Sequence, residues 1–169
     1  MISHPIPPFF DENSRVLILG SFPSVKSREQ GFFYGHPQNR FWRVLSAIFD
    51  VPIPKGIEEK KHLLRSSGIA LWDVIASCSI QGSSDSSIRD VAANDISMIL
   101  NSCNIAQIFV NGKTAERLYR KHIEPIIHVS AVYLPSTSPA NASYSLERLC
   151  AEWGVVRFVT EESKPSLKK

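Results

Sequence analysis

The chain has 169 residues, of which 43% are hydrophobic, enough for a packed core and not the composition of a disordered chain. Its net charge of +3 suits a polyanionic partner but is too weak to argue for one. The three cysteines (Cys78, Cys103 and Cys150) lie far apart and show no metal-ligand spacing, so no metal and no other cofactor is expected.

In chain order, the opening MISHPIPPFFDEN lacks a basic segment followed by an apolar run, so a signal peptide is not expected. Reduced thiols and the lack of any bilayer-length run point to a cytoplasmic protein without membrane association. The run Arg15 to Leu19, ending at Gly20, reads as a buried strand. Asn39 to Asp50 carries Phe41, Trp42, Leu45, Ile48 and Phe49 in a helical stripe. Residues 57–66 read as a second helix stopped near Gly68, followed by a strand over Gly68 to Val74. Gln81 to Ser87 is a serine-rich loop. Asp95 to Asn101 is a third helix with Asn94 as its cap. Ile105 to Val110 is a strand, Thr114 to His122 a helix and Ile127 to Leu134 a strand. Ser145 to Trp153 is the last helix, with Gly154 as its stop. Val155 to Val159 is a candidate further strand, and Glu161 to Lys169 a frayed polar tail.

Strands alternating with helices imply a parallel sheet with helices on both faces. The expected fold is a three-layer α/β/α sandwich around a mostly parallel four-stranded sheet, one domain over residues 1–169. Ligands of such folds bind beyond the carboxyl ends of the strands. Those ends carry Gly20-Ser21-Phe22-Pro23-Ser24, then Asp73, then Asn111-Gly112-Lys113, then Pro135-Ser136-Thr137-Ser138-Pro139.

There is no G-x-G-x-x-G, no P-loop and no G-x-S-x-G elbow. No carboxylate pair is evident at the strand ends, which argues against a two-carboxylate glycosidase. The remaining picture is a cleft of serines, amides and glycines beside aromatic residues. Hydroxyls and backbone N–H groups suit phosphates, amides suit base edges and aromatic faces suit stacked bases. Phe41 and Trp42 are read as core.

The segment Gly20 to Trp42, GSFPSVKSREQGFFYGHPQNRFW, together with FVNGK at 109–113 and LPSTSPAN at 134–141, resembles the motifs of the uracil-DNA glycosylase superfamily. In its mismatch-specific branch the third residue of the first motif is a water-positioning Asn. Here that residue is Phe22, and the nearby amide is Asn39 in GHPQNRFW. That pattern is similar to the hypoxanthine-DNA glycosylases, the superfamily's sixth family.

The resemblance implies a monofunctional glycosylase of base excision repair. It would hydrolyse the N-glycosidic bond of a flipped-out deaminated base, hypoxanthine first, in double-stranded DNA. It would act as a cytoplasmic, nucleoid-associated monomer. Asn39 would orient the attacking water, or else cap its helix. Gly20, Ser21, Phe22, Tyr34 and Asn111 would form the base pocket, with Tyr34 stacking on the base or packing in the core, and Asn111 reading the base or merely shaping a turn. Ser24, Lys113, Ser136 and Ser138 would hold the DNA backbone, unless the two later serines simply belong to a loop capping the last helix. Pro139, Ala140 and Asn141 would form the intercalation loop, with Ala140 a small plug. His36 would donate a proton or cap the turn, and Asp73 is read as structural. The alternatives are a uracil or mismatch glycosylase, a silent lesion-binding module and a hydrolase of free nucleosides.

Overall fold

The computed structural model describes residues 1–163. In chain order its elements are β1 (Ile2–Ser3), β2 (Val16–Gly20), α1 (Val25–Gln30), α2 (Phe41–Phe49), α3 (Gly56–Ser67), β3 (Ile69–Asp73), β4 (Ile75–Ser79), β5 (Arg89–Ala93), α4 (Ser97–Ser102), β6 (Gln107–Asn111), α5 (Lys113–His122), α6 (Glu124–Ile127), β7 (Ala131–Leu134) and α7 (Leu146–Glu162).

Four strands form the central sheet in the order β3-β2-β6-β7, and every pair in it is parallel. Their apolar runs lack polar alternation because both faces are covered. Val16, Ile18, Ile69 and Leu71 pack with α2, α3 and α7 through Leu45, Leu64 and Trp153. Leu17, Leu19, Ala70 and Val110 pack with α4 and α5 through Ile99, Leu118 and Tyr119. This is the expected three-layer sandwich. The register pairs Gly20 with Asp73 and Asn111 with Leu134, so these strand ends line one edge.

The sequence did not announce a second, antiparallel sheet of order β1-β4-β5. Its strand β4 follows directly from β3, and its apolar side adds Ile75 and Cys78 to the second core. Four local expectations are corrected. Val155 to Val159 is helical, because α7 runs through Gly154 to Glu162. Val156 and Thr160 are buried on the same face of α7 as Trp153, while Val155 and Phe158 are exposed. Gly154 therefore stops nothing, and an added Cβ there would meet open space. Asn94 does not cap α4. Its amide donates to the Asp73 and Ile75 carbonyls and ties β3 and β4 to the chain entering α4. The strand expected from Ile127 starts at Ala131, after the short α6. Ser145 does cap α7, accepting the Arg148 N–H at 3.1 Å. Of the polar tail, residues 164–169 lie outside the described residues.

Candidate active site

A cleft of about 510 Å³ opens at the carboxyl edge of the central sheet. Gly20, Ser21, Phe22, Ser24, Tyr34, His36, Asn39, Asn111, Ser136, Ser138, Pro139 and Ala140 all line it, as do Asp73 and Asp85. Lys113 does not. It begins α5 and lines a separate shallow depression with Arg117 and Tyr133. Asn141 is likewise not among the lining residues; its amide donates to the Ser136 carbonyl at 3.0 Å.

Asn39 stands at the entry to α2. Its Oδ1 accepts the Phe41 N–H at 2.9 Å, so the side chain meets one of the unpaired donors at the helix start. This fixes the carboxamide and leaves its NH₂ group uncommitted among the described residues. His36 precedes it, with Nδ1 accepting the Gln38 N–H at 3.1 Å. The ring proton is therefore on Nε2.

Tyr34 has φ +53°, an uncommon conformation for a bulky residue. Two contacts hold it there. Its ring stacks on Phe41 with centroids 4.0 Å apart, and its hydroxyl accepts from Asn111 Nδ2 at 3.2 Å. Burial, and then the Asp73 carboxylate, push its phenol far above the ordinary value, with Asp85 adding to this and the Asn111 hydrogen bond opposing it. The hydroxyl therefore keeps its proton. Asn111 is fully engaged: Nδ2 also donates to Thr137 Oγ1 at 3.1 Å, and Oδ1 accepts the Thr137 N–H at 3.1 Å. It acts as a strut between β6, Tyr34 and the serine loop.

That loop, Pro135 to Asn141, is held from both sides. Ser136 and Ser138 hydroxyl oxygens accept the N–H groups of Ser138 and Ala140, which leaves their protons free to donate outward. Arg40 donates to the carbonyls of Ser138 (3.1 Å), Asn141 (3.0 Å) and Tyr144, and its own N–H donates to the Thr137 carbonyl. Gly112 allows the close approach on the far side. Its φ is +98°, and a Cβ there would stand 3.0 Å from Ser136 Cβ.

All three tryptophans pin a segment of the site through their indole N–H. Trp42 holds the Phe33 carbonyl beside Tyr34, Trp72 the Ile6 carbonyl and Trp153 the Pro135 carbonyl, at 3.2, 3.2 and 2.9 Å. Trp42 and Trp153 sit in the core and Trp72 packs against it, while the one donor of each ring reaches a loop.

Phe22 is a buried wall, edge-on to His4 and beneath the Arg28 guanidinium. Two carboxylates also reach the cleft, of which the strand ends indicated only Asp73. Asp73 ends β3. Asp85 comes from the serine-rich loop, where its Oδ1 accepts the Ser21 hydroxyl at 3.1 Å. The Asp85 residue is exposed as a whole, but its carboxyl is turned to the wall. Desolvation there raises its pKa, against the Ser21 and Thr114 hydroxyls and with the help of Asp73. The reach of that loop over the cleft, the Arg40 clamp and the part of His4 behind Asp73 are the features that sequence reasoning missed. None lies near its partner in the chain.

Among the described residues no group of histidines, cysteines and carboxylates is placed to hold a metal, and no helix is long and apolar enough to cross a membrane.

Known proteins resemble the chain over nearly all of this frame. The family model of the uracil DNA glycosylase superfamily matches residues 7–157. A hypoxanthine DNA glycosylase of Methanosarcina acetivorans is 36% identical over 161 residues, 92% of this chain and 98% of that protein. A hypoxanthine DNA glycosylase of Methanosarcina barkeri is 35% identical over 109 residues, 63% of this chain and 69% of its own. The solution NMR structure of a candidate uracil DNA glycosylase from Methanosarcina acetivorans superposes with a TM-score of 0.79 at 34% identity. It covers 94% of this chain and 99% of that one.

Proposed function

This chain belongs to the uracil DNA glycosylase superfamily, and on that premise we propose that it is a monofunctional DNA glycosylase that removes hypoxanthine from deaminated adenine nucleotides in double-stranded DNA. Its first motif carries Phe22 where a water-positioning amide would stand, and Asn39 supplies a cleft-lining amide from the start of α2. The similarity to two proteins named as hypoxanthine DNA glycosylases points the same way.

The reaction is a hydrolysis. Water oxygen bonds to C1′ of the deoxyribose as the C1′–N9 bond breaks. The bonding pair leaves with the purine, which takes up a proton, and the water's second proton passes to solvent. The products are free hypoxanthine and an abasic site. Asn39 is a neutral amide and a weak base, so its part is to orient the water. This suffices when the glycosidic bond is largely broken before attack, with DNA phosphates offsetting the charge on the sugar. Phe22 and Tyr34 bound the base, while Ser136 and Ser138 offer hydroxyls to the phosphates; the Ser24 hydroxyl, expected beside them, caps α1 and donates to Ser27. Pro139 and Ala140, exposed at the rim, face the emptied stack as a small plug. Extruding the nucleotide costs a few kcal/mol and is easiest for a mispaired base, which favours hypoxanthine opposite thymine. A cytoplasmic monomer is the form in which we expect it to act.

The test is excision from matched duplexes carrying one hypoxanthine, uracil, xanthine or mispaired thymine, followed by alkaline cleavage of abasic sites. The expected result is cleavage at hypoxanthine with little or none at uracil. Excision of uracil at a comparable rate would make the chain a general deamination glycosylase, and no abasic product from any lesion would leave it a binding module.

A further inference from the structure

Asp73 is only 4% exposed yet lines the cleft. A buried carboxylate needs donors, and this one has one in His4. His4 Nε2 lies 2.8 Å from Asp73 Oδ2. His4 Nδ1 accepts the Ile6 N–H at 3.2 Å, so the ring proton must be on Nε2 and points at Asp73. The His4 backbone is fixed in turn by its N–H to the Ala76 carbonyl, and Ile6 by Trp72.

The other oxygen, Asp73 Oδ1, has no hydrogen-bond partner among the described residues. It is not sealed in either, because among the described residues no enclosed side-chain oxygen or nitrogen is left without a partner. It opens on the cleft. The Tyr34 hydroxyl is in the complementary state: it accepts from Asn111, and its proton has no acceptor among the described residues. The two groups meet over Gly20. A Cβ on Gly20 would stand 2.5 Å from Asp73 Oδ1 and 3.0 Å from the Tyr34 oxygen. Bare backbone at that position lets an unspent acceptor and an unspent donor stand side by side.

We propose that this pair reads the lactam edge of the extruded base: Asp73 Oδ1 accepts the ring N–H, the Tyr34 hydroxyl donates to the adjacent carbonyl, and His4 is the positioning residue that aims the carboxylate. The inference rests on the glycosylase reading above and deepens it. Deamination turns the edge of adenine, a ring lone pair beside an amino group, into the N1–H and C6=O of hypoxanthine. Against this pair the deaminated edge makes two hydrogen bonds, while the adenine edge sets a lone pair against a carboxylate. A site built this way refuses the analogue that cannot complete its hydrogen bonds. Uracil presents the same edge, so the pair separates deaminated bases from their parents, not purines from pyrimidines. Guanine shares the edge as well, and its stable pair with cytosine makes extrusion the costlier step.

The experiment is single-turnover excision of hypoxanthine, 1-methylhypoxanthine and 6-methoxypurine from one duplex context. The first analogue has no ring proton, and the second turns a lone pair to Asp73. The native protein should discriminate against both by at least about 100-fold. Asp73→Asn can offer an N–H to that lone pair, so its ratio of 6-methoxypurine to hypoxanthine excision should rise by about tenfold or more. His4→Phe should move the ratio the same way, and His4→Gln, which keeps an N–H donor, should hold it near the native value. Native excision of the analogues within about threefold of hypoxanthine would overturn the proposal, as would an Asp73→Asn protein that slows all three by one common factor. Should Asp73→Asn fail to fold, the native ratios and the His4 variants decide alone. A native protein that leaves hypoxanthine in place overturns the parent reading too; one that removes it without discrimination overturns only this inference.

Discussion

Asn39 and Phe41 are joined by a hydrogen bond from the Phe41 N–H to Asn39 Oδ1 at 2.9 Å, so one carboxamide both starts α2 and faces the cleft. The two roles separate by substitution. Asn39→Ala should lose at least about 100-fold in excision rate and about 1 kcal/mol of stability through the lost hydrogen bond to the Phe41 N–H. Asn39→Asp keeps the accepting oxygen and should melt near the native temperature while losing rate. Single-turnover kinetics beside thermal unfolding resolves the pair. Full activity in Asn39→Ala would remove Asn39 from the chemistry.

Arg40, next in the chain, holds the serine loop by three carbonyls. Arg40→Lys keeps the charge but cannot span them. We expect weaker binding of lesion duplex and a loss of about 2 kcal/mol of stability, since hydrogen bonds to charged groups are worth more than neutral ones. Duplex affinity unchanged from native would make the clamp purely structural.

Gly20→Ala puts a methyl 2.5 Å from Asp73 Oδ1 and 3.0 Å from the Tyr34 hydroxyl. Crowding of this kind costs about 1–3 kcal/mol. Excision should fall by about tenfold or more, because both side chains must shift. Denaturant unfolding and kinetics measured together would show whether the loss exceeds that from stability alone.

Ser136→Ala and Ser138→Ala remove hydroxyls that face the cleft rim. If these grip phosphates, binding should weaken by a similar factor for every lesion and for undamaged duplex, leaving base preference unchanged. A change in base preference would move these serines from backbone to base recognition. Affinity measured across several duplexes distinguishes the two.

Asp85 has a raised pKa, chiefly from desolvation. Its ionised form is thus disfavoured in the folded state, and whatever stability its protonated form contributes is present below the ordinary carboxylate range and lost as pH rises through the raised value. Asp85→Asn, which cannot ionise, should therefore melt higher than the native protein at neutral pH, and the gap should close in acid. Melting temperatures that differ by a constant amount from pH 4 to pH 8 would contradict the shift.

Much of this was legible in the chain. The central strands stood out because both faces are buried, which leaves continuous apolar runs such as Val16 to Leu19. Chain direction then set Gly20, Asp73 and Asn111 at strand ends, since parallel strands finish on one edge. Val155 to Val159 misled because β-branched residues read locally as strand, while the burial of Trp153, Val156 and Thr160 on one face keeps α7 helical.

The sequence by itself determined the three-layer fold and the edge that bears the site, because each depends on periodicity and order within a short stretch. The tertiary structure alone decided that His4 stands behind Asp73, 69 positions away, that Arg40 clamps carbonyls about a hundred positions on, and that Asp85 joins the cleft wall from a loop of the second sheet. The reason is physical. Periodicity shows which face of an element is buried, but a hydrogen bond between distant segments leaves no pattern in either one and exists only once the sheet has brought them together.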